Sequence, residues 1–464
     1  MVFNHVRYNT LKDISFTLYS GDILGLISLD HVGLSALLHT FLYPVTLDSG
    51  FIAVRGDKVS TVLEHSKQEN KVSLLEFKTK LVSSLSLAEN FFSLKKNGPK
   101  ILSFKTMRRE FQRIVEPYNL ALTGDEYPSD ITNLERCKIE ILKAKAFGIR
   151  SFILNDPSSF LGPSELYELN SFVKRLAKED MSFIYLGGHH EELLEVCTKL
   201  MLLKEGLIIY FENADKVQKG SIDNIAYEFT ETEKKLHIPY NITQEPDFWL
   251  ETKGINIPLH KGDCNVFIDL DNKMDFFSGD NNLQLGIKLF SNGEELDLLN
   301  SKVAIIPRNA IRTSLYYDLS YFDNLTLRAS CKIPFFYSKR YFRNSVVKEY
   351  KQKLGELILA KDLYSLTDEE LLDLVYNKVG MEMPKVLLIF QPFAGFDMYQ
   401  RMSVLDHIST LRRKGVSILI IALSVSDVLS IASKLFIFKG GKLERQIEES
   451  EFPEIRRNRK IFPL

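Results

Sequence analysis

Cysteines and clustered basic residues are the side chains whose spacing most directly suggests chemistry, and here the spacing excludes the usual sites. Cys137, Cys197, Cys264 and Cys331 lie far apart, and none forms the CxxC pair of a zinc or redox motif. We therefore expect reduced, buried thiols and no metal site. The basic run at residues 456–460 is expected to be a solvated terminus, with a contact to anionic lipid headgroups as the alternative.

Composition describes an ordinary globular protein with no electrostatic preference for nucleic acid. Of the 464 residues, 45% are hydrophobic and 26% charged, and 59 Lys and Arg balance 60 Asp and Glu. The N-terminus lacks the pattern of a signal peptide, and serines and Asp427 interrupt the most apolar tract, residues 416–432. We expect a cytoplasmic protein, or one peripheral to the inner face of the cell membrane, with no nucleic-acid partner.

An internal repeat organises the chain. A single offset of 235 residues relates Pro157 to Pro392, and the same offset relates four further pairs of identical residues without a gap. These pairs are Thr132 and Thr367, Leu194 and Leu429, Lys199 and Lys434, and Gly206 and Gly441. A register kept through several segments predicts two copies of one unit of roughly 220 residues.

Each copy alternates short apolar runs with amphipathic stretches. Runs at residues 151–154 and 183–186 have counterparts at 386–390 and 417–422, and residues 164–178 have helical periodicity. This alternation is typical of buried, largely parallel sheets in an α/β fold. We expect a first copy at residues 1–222, a linker region at 223–247 and a second copy at 248–464.

Several segments resemble the ATP-binding cassettes of bacterial sugar importers. Residues 10–26 resemble the strand that leads into the phosphate-binding loop, and residues 87–90 resemble the "SVxEN" segment, which residues 321–327 repeat. Residues 307–315 resemble the "PEDRKRDGL" segment of the second cassette in ribose- and galactoside-type importers. No single motif is strong, but their order and spacing follow this family over nearly the whole chain.

The resemblance implies an α/β fold of two tandem P-loop NTPase-like cassette domains, each with a helical subdomain. It also implies a partner, because family members present a groove that receives the coupling helices of a transmembrane permease. A permease, or another membrane or sensory protein, is therefore the expected partner.

The first copy departs from the family at the phosphate-binding loop, which resemblance places at residues 28–36. Gly33 and Ser35 match the last glycine and the Mg²⁺ serine of that motif, whereas Ser28 and His31 replace glycines and Leu34 replaces the lysine. Loss of the lysine removes charge-assisted hydrogen bonds worth about 1.5–3 kcal/mol each. We expect at most weak ATP binding here and assign no firm cofactor.

The catalytic positions after the next conserved strand are also altered. Resemblance places Asn155 where the family has the Mg²⁺ aspartate, and Asp156 where it has the glutamate that polarises water. Asn155 is uncharged, and Asp156 is one methylene too short, so Asp156 is only a weak catalytic candidate. The family's histidine falls on Gly188. A shift of one residue would restore it as His189, and a solvated helix start is the alternative.

The second copy departs further from the family. Asp275 replaces the loop lysine, and Phe390 and Gln391 occupy the two carboxylate positions. In the signature segments at residues 131–135 and 366–370, Asp368 and Glu369 replace both glycines of the second copy. Acidic residues there favour a helix N-terminus but repel phosphate.

We therefore expect a non-hydrolysing pseudo-ATPase homologue that acts as a scaffold or regulator of a permease or sensory partner. Two alternatives stay open. One is a functional ATP-hydrolysing subunit of a carbohydrate transporter with atypical sites, and the other is a soluble regulator that never meets a permease.

Overall fold

The computed structural model describes residues 1–43, 45–54, 57–58, 72–92, 103–217, 222, 245–252, 255–270, 287–291, 293–297, 302–329, 339–425 and 428–452. The chain divides into two compact units, the first made mainly of residues 1–227 and the second mainly of residues 228–463. Residues 223–244 of the predicted linker region lie outside the described residues, so the two predicted domain boundaries stay predictions.

The first unit contains two sheets and the helices that cover them. Its strands are β1 (Val2–Tyr8), β2 (Leu11–Thr17), β3 (Ile23–Ser28), β4 (Ser49–Val54), β5 (Asp57–Lys58), β6 (Val72–Leu75), β7 (Ser151–Asn155), β8 (Ser182–Leu186), β9 (Lys199–Lys204) and β10 (Leu207–Asn213). Its helices are α1 (His31–Leu42), α2 (Leu87–Phe92), α3 (Phe104–Val115), α4 (Asn133–Ala146), α5 (Pro163–Ala177) and α6 (His190–Leu194).

The second unit repeats the order of the strands. Its strands are β11 (Phe248–Thr252), β12 (Ile255–Leu259), β13 (Cys264–Asp269), β14 (Ile287–Ser291), β15 (Glu294–Leu296), β16 (Val303–Ile306), β17 (Val386–Phe390), β18 (Ser417–Ala422), β19 (Lys434–Lys439) and β20 (Lys442–Glu448). Its helices are α7 (Ala310–Thr313), α8 (Tyr321–Thr326), α9 (Lys339–Leu354), α10 (Asp368–Glu382) and α11 (Met398–Arg413).

The two units have the same sheet topology. The central sheets run β10-β9-β3-β8-β7-β6 and β20-β19-β13-β18-β17-β16. In each sheet the C-terminal edge strand, β10 or β20, is antiparallel to its neighbour, and the other five strands are parallel. Pro157 and Pro392 thus follow equivalent strands, β7 and β17. The predicted pair of α/β domains is confirmed, as is a helical subdomain after residue 87 and again after residue 321.

Each unit also has a four-stranded antiparallel sheet that the apolar runs did not predict. Its order is β2-β1-β4-β5 in the first unit and β12-β11-β14-β15 in the second. In the first unit, helix α1 packs between this sheet and the central one, and Leu37 is fully buried there. Residues from both sheets and from α1 form a single apolar core, and this core holds α1 in place.

Backbone geometry repeats with the predicted offset. Asp156 and Gln391 both adopt left-handed conformations, with φ of 46° and 44°. Their N–H groups donate to Leu186 and Ile421, which are themselves 235 residues apart. At this turn, the repeat found in the sequence thus places the same backbone hydrogen bond at equivalent positions of both units.

The cysteines behave as expected where the structure describes them. Cys137, Cys197 and Cys264 are free and buried. Burial raises their thiol pKa values to about 12, 11 and 11, respectively, so these thiols stay protonated and unreactive at neutral pH. Cys331 lies outside the described residues. Within the described part of the chain, no helix is long and apolar enough to cross a membrane.

Candidate nucleotide site

Only two residues connect the first strand of the central sheet to helix α1. Strand β3 ends at Ser28 and α1 begins at His31, so Leu29 and Asp30 alone form the connection. A phosphate-binding loop needs a longer glycine-rich connection whose N–H groups surround the phosphates. Here residues 31–33, which the motif would place in the loop, belong to the first turn of the helix.

The carboxylate of Asp30 occupies the N-terminus of α1. Its Oδ1 accepts the Gly33 N–H at 2.8 Å, and its Oδ2 accepts the N–H of Glu205. The Ser28 hydroxyl donates to the Asp30 carbonyl at 2.6 Å, which holds the connection in place. The helix start that would attract a phosphate therefore already binds a negatively charged group of the chain itself.

Gly33 has a packing role in this arrangement. A Cβ atom on Gly33 would lie 2.8 Å from the backbone nitrogen of Gly206 and 3.2 Å from its Cα. Gly206 itself has φ of 74° in the turn between β9 and β10. The glycine that matches the phosphate-binding motif is thus required for α1 to approach this turn.

The remaining positions of the predicted phosphate-binding loop differ in how far their side chains are buried. Leu34 is half-buried and packs against the apolar core, whereas Ser35 is exposed one position further along α1. His31 is the first residue of the helix. Packing thus explains Leu34 at the lysine position, because an apolar side chain extends the core there.

Asn155 and Asp156 lie at the same edge of the central sheet as Ser28. Ser28 ends β3 and Asn155 ends β7, with β8 between these parallel strands and Ser28 two residues further along, so the two ends are about 12 Å apart. Asp156 is half-buried, and its Oδ1 accepts a hydrogen bond from Ser158 at 2.7 Å. The fold brings the predicted strand ends together, but it places an uncharged amide at the metal-ligand position.

The predicted histidine position begins a short helix. Residue 188 is glycine, and His189 is the half-buried N-cap of α6 with φ of −117° and ψ of 120°. His190 Nδ1 lies 3.3 Å from Glu191 Oε2. A helix start is present here, but both histidines are half-buried rather than solvated, and the role of His189 stays a prediction.

Both signature segments form capping boxes. The Thr132 hydroxyl accepts the Glu135 N–H at 3.2 Å, and the Glu135 carboxylate accepts the Thr132 N–H at 2.9 Å. Thr367 and Glu370 make the same pair of bonds, at 3.3 and 2.8 Å. In the family, the backbone N–H groups at this helix start face a phosphate. Here a glutamate carboxylate of the chain accepts a hydrogen bond at the same helix start in both units.

The second unit carries an apolar side chain at the first carboxylate position. Phe390 ends β17 and is 3% exposed. Gln391 follows it, and its buried Oε1 has no hydrogen-bond partner among the described residues. Asp275 lies outside the described residues, so its predicted role has no structural test here.

The role of Asp30 was not predicted from the sequence, although a local signal was present. An Asp three residues before an amide at a helix start is a common N-cap. The resemblance to a phosphate loop drew attention to residues 28, 31 and 33–35 instead. The bond from Glu205 had no sequence signal, since that residue is 175 positions away.

Comparisons with known proteins agree with this architecture. The chain is 23% identical over 488 residues to the ribose import ATP-binding protein RbsA of Caldanaerobacter subterraneus subsp. tengcongensis, covering 97% of this chain and 95% of that protein. It is 22% identical over 466 residues to a putative ribose/galactose/methyl galactoside import ATP-binding protein of Pseudomonas syringae pv. syringae, covering 95% and 88%. No protein-family model matches the chain.

Solved structures show the same fold. A chain from a model of ribosome-bound archaeal Pelota and ABCE1 superimposes with a TM-score of 0.62 at 13% identity, covering 97% of this chain and 79% of that chain. A chain from the crystal structure of archaeal aP1 with the ribosome recycling factor aABCE1 gives 0.56 at 14% identity, covering 95% and 87%. The protein is thus built from two tandem ATP-binding-cassette domains. Its sequence similarity over nearly its full length is to the ATP-binding proteins of sugar importers.

Proposed function

We propose that this chain is a non-hydrolysing cassette protein of a carbohydrate-import system, which acts by binding a permease or a sensory partner. The observation that carries the proposal is the Asp30 carboxylate at the N-terminus of α1. A nucleotide phosphate would have to displace this carboxylate and would meet no lysine from position 34. The names of the relatives support the link to sugar import.

The positions that would perform hydrolysis support the same proposal. Asn155 offers Mg²⁺ a neutral oxygen, and Phe390 offers none. Asp156 keeps a carboxylate, which is the feature that favours the alternative of an active transporter subunit with atypical sites.

We predict no Mg²⁺-dependent phosphate release from ATP above the no-enzyme background. The assay uses the purified full-length protein and its Asp156→Ala variant, and both should give the same baseline. Steady turnover by the wild type that Asp156→Ala abolishes would instead establish the active-subunit alternative.

Residual ATP binding should depend on both the missing lysine and the extra carboxylate. Leu34→Lys alone should strengthen ATP binding only modestly, because Asp30 still occupies the helix start. The double variant Asp30→Ala with Leu34→Lys should gain at least tenfold more, about 1.4 kcal/mol. Isothermal titration calorimetry measures both affinities. Tight ATP binding by the wild type would contradict the proposal.

Partner binding is supported by exposed apolar side chains beside the helical subdomains. In the first unit, Phe77 and Val82 between β6 and α2 are 48% and 43% exposed. In the second unit, Tyr316 and Tyr364 are 56% and 77% exposed. Exposed apolar groups of this kind often form protein interfaces. Phe77→Asp should weaken co-purification of the protein with a co-expressed candidate permease. Tyr19→Asp, which changes another exposed aromatic side chain, is the control. Equal recovery of the permease with wild type and Phe77→Asp would favour a regulator that meets no permease.

A further inference from the structure

A cavity of about 150 Å³ lies in the second unit, where helices α9, α10 and α11 meet. The residues that matter for its chemistry are Lys353 of α9, Asn377 and Gly380 of α10, and His407 and Thr410 of α11, with Lys414 just beyond that helix. It lies within the helical part of this unit and shares none of these residues with the candidate nucleotide site.

The first unit fills the equivalent junction with large side chains. Lys145 pairs with Glu179 and also donates to the Tyr118 hydroxyl, while the Arg175 guanidinium lies 4.6 Å from the centre of the Tyr118 ring. This cluster links the turn after α3, which holds Tyr118, to α4 and to the C-terminal end of α5. The same fold can therefore place bulky, mutually paired side chains at this junction.

The 235-residue register shows how the cavity arises. Helices α4 and α10 start with the same capping box, and the strands that follow α5 and α11 begin at Ser182 and Ser417. The register therefore replaces Lys145 by Gly380 and Arg175 by Thr410. It also replaces the Glu179 carboxylate by the Lys414 ammonium group, so that the second unit loses bulk and negative charge together.

The groups around the cavity are mostly hydrogen-bond donors. Lys353 Nζ donates to Asn377 Oδ1 at 2.9 Å, and no carboxylate of the described residues pairs with Lys414. His407 binds Asp373 through Nε2 at 2.8 Å and stacks on Tyr376. The carboxylate that lines the cavity is Glu349, which is exposed. Positive charge therefore exceeds negative charge at this cavity.

The buried Asn377 amide beside the cavity has no well-aligned hydrogen-bond acceptor among the described residues. Asn377 is 5% exposed, and its Nδ2 makes no hydrogen bond of normal geometry within the described chain. The nearby Tyr321 hydroxyl, whose pKa is raised by burial and lowered in part by a hydrogen-bond contact with the Asn377 side chain, is likewise buried without a well-aligned bond. A buried amide donor without an acceptor is costly, which favours an acceptor supplied from outside the chain.

We propose that this cavity binds a small oxyanion, a phosphate or a carboxylate, which takes the place held by the Glu179 carboxylate in the first unit. Lys353 and Lys414 supply the positive charge, and the Asn377 amide and Thr410 hydroxyl supply neutral donors. At roughly 30 Å³ for each water, the cavity has the volume of about five waters. That volume suits inorganic phosphate or a carboxylate of a few carbon atoms.

The test compares thermal unfolding of the full-length protein in sodium phosphate, sodium acetate and sodium chloride at equal ionic strength. Gly380→Leu fills the cavity, and Lys414→Glu restores the carboxylate of the first unit. A Cβ on Gly380 would meet only Leu411 Cδ2, at 4.0 Å, so the helix accepts a side chain there. Lys442→Gln, on the exposed strand β20, is the control for loss of one lysine.

We expect phosphate or acetate to raise the melting temperature of the wild type and of Lys442→Gln above the chloride value. Both cavity variants should lose that rise, and calorimetry should show affinity for the more stabilising anion at least tenfold weaker. The anion that raises the melting temperature more, phosphate or acetate, identifies the class of ligand that the cavity prefers. No rise with either anion, or the same rise in Gly380→Leu and Lys414→Glu, would overturn the proposal.

Discussion

The two units keep the same bonds to the backbone and differ where side chains meet one another. Asn90 and Asn324 each accept one backbone N–H and donate to three backbone carbonyls, at positions that match one for one between the units. By contrast, the pair Lys145 and Glu179 becomes Gly380 and Lys414 in the second unit.

This difference has a physical cause. A side chain that satisfies buried backbone groups can be replaced only by one of the same shape and polarity, because every alternative leaves a donor or acceptor unpaired. A side-chain pair near the surface, such as the half-exposed Lys145 and Glu179, contributes little and can change freely. Duplicated domains can therefore keep one architecture while their surfaces acquire different ligands.

The largest difference in stability between the two units is expected on substitution of two helical glycines. Gly33→Ala should lower the free energy of unfolding by about 2 kcal/mol, because the new Cβ overlaps the backbone of Gly206. Gly380→Ala, in the open space of the second unit, should instead raise it by about 0.5–1 kcal/mol through helix propensity. Urea denaturation measures both values. Equal effects at the two sites would show that α1 does not pack tightly on the β9–β10 turn.

The next effect concerns the carboxylate at the start of α1. Asp30→Ala should cost about 1–2 kcal/mol, because it leaves the N–H groups of Gly33 and Glu205 without their acceptor. Asp13→Ala removes an exposed carboxylate of the same unit and should change stability by less than about 0.5 kcal/mol. Thermal denaturation of the two variants side by side makes the comparison. A cost for Asp30→Ala no greater than for Asp13→Ala would remove the structural role of the cap.

The smallest effect is a pH dependence in the second unit. Burial raises the pKa of Asp373, but hydrogen bonds from His407 and Ser403 outweigh it and lower the pKa below its usual value. A carboxyl with a depressed folded-state pKa stabilises the protein above its unfolded pKa of about 3.9, and this contribution is lost as the pH falls through the folded value. Asp373→Asn should therefore cost about 1 kcal/mol at pH 7, since solvent reaches a third of the side chain and screens it.

Denaturant titrations at several pH values check this prediction. The difference between wild type and Asp373→Asn should shrink steadily as the pH is lowered from 5 toward the folded-state pKa. The first-unit variant Lys138→Gln, at the position equivalent to Asp373, should show no such trend, because its partner Glu168 is largely exposed. A difference that stays constant with pH would show that the bond from His407 does not stabilise the charged carboxylate.

The order of the elements follows from local information in the chain. Apolar runs bounded by turn residues predict the central strands, and the acidic residues of the second signature segment predict the helix start found at α10. The 235-residue register predicts that Pro157 and Pro392 follow equivalent strands, which they do. The strands and the helix start depend on residues that are close in sequence, and the repeat is visible as a constant offset, so the sequence alone determines these features.

The chemistry of the candidate sites depends on contacts between distant segments. Motif comparison identifies Gly33 as a phosphate-loop residue, but only the packed structure shows it against Gly206, with Asp30 bonded to an amide 175 residues away. Likewise, Gly380 is an ordinary helix residue in the sequence, and the cavity beside it exists because three helices meet there without the side chains that fill the first unit. Packing of segments far apart in sequence decides which groups share a space, and no local pattern records it.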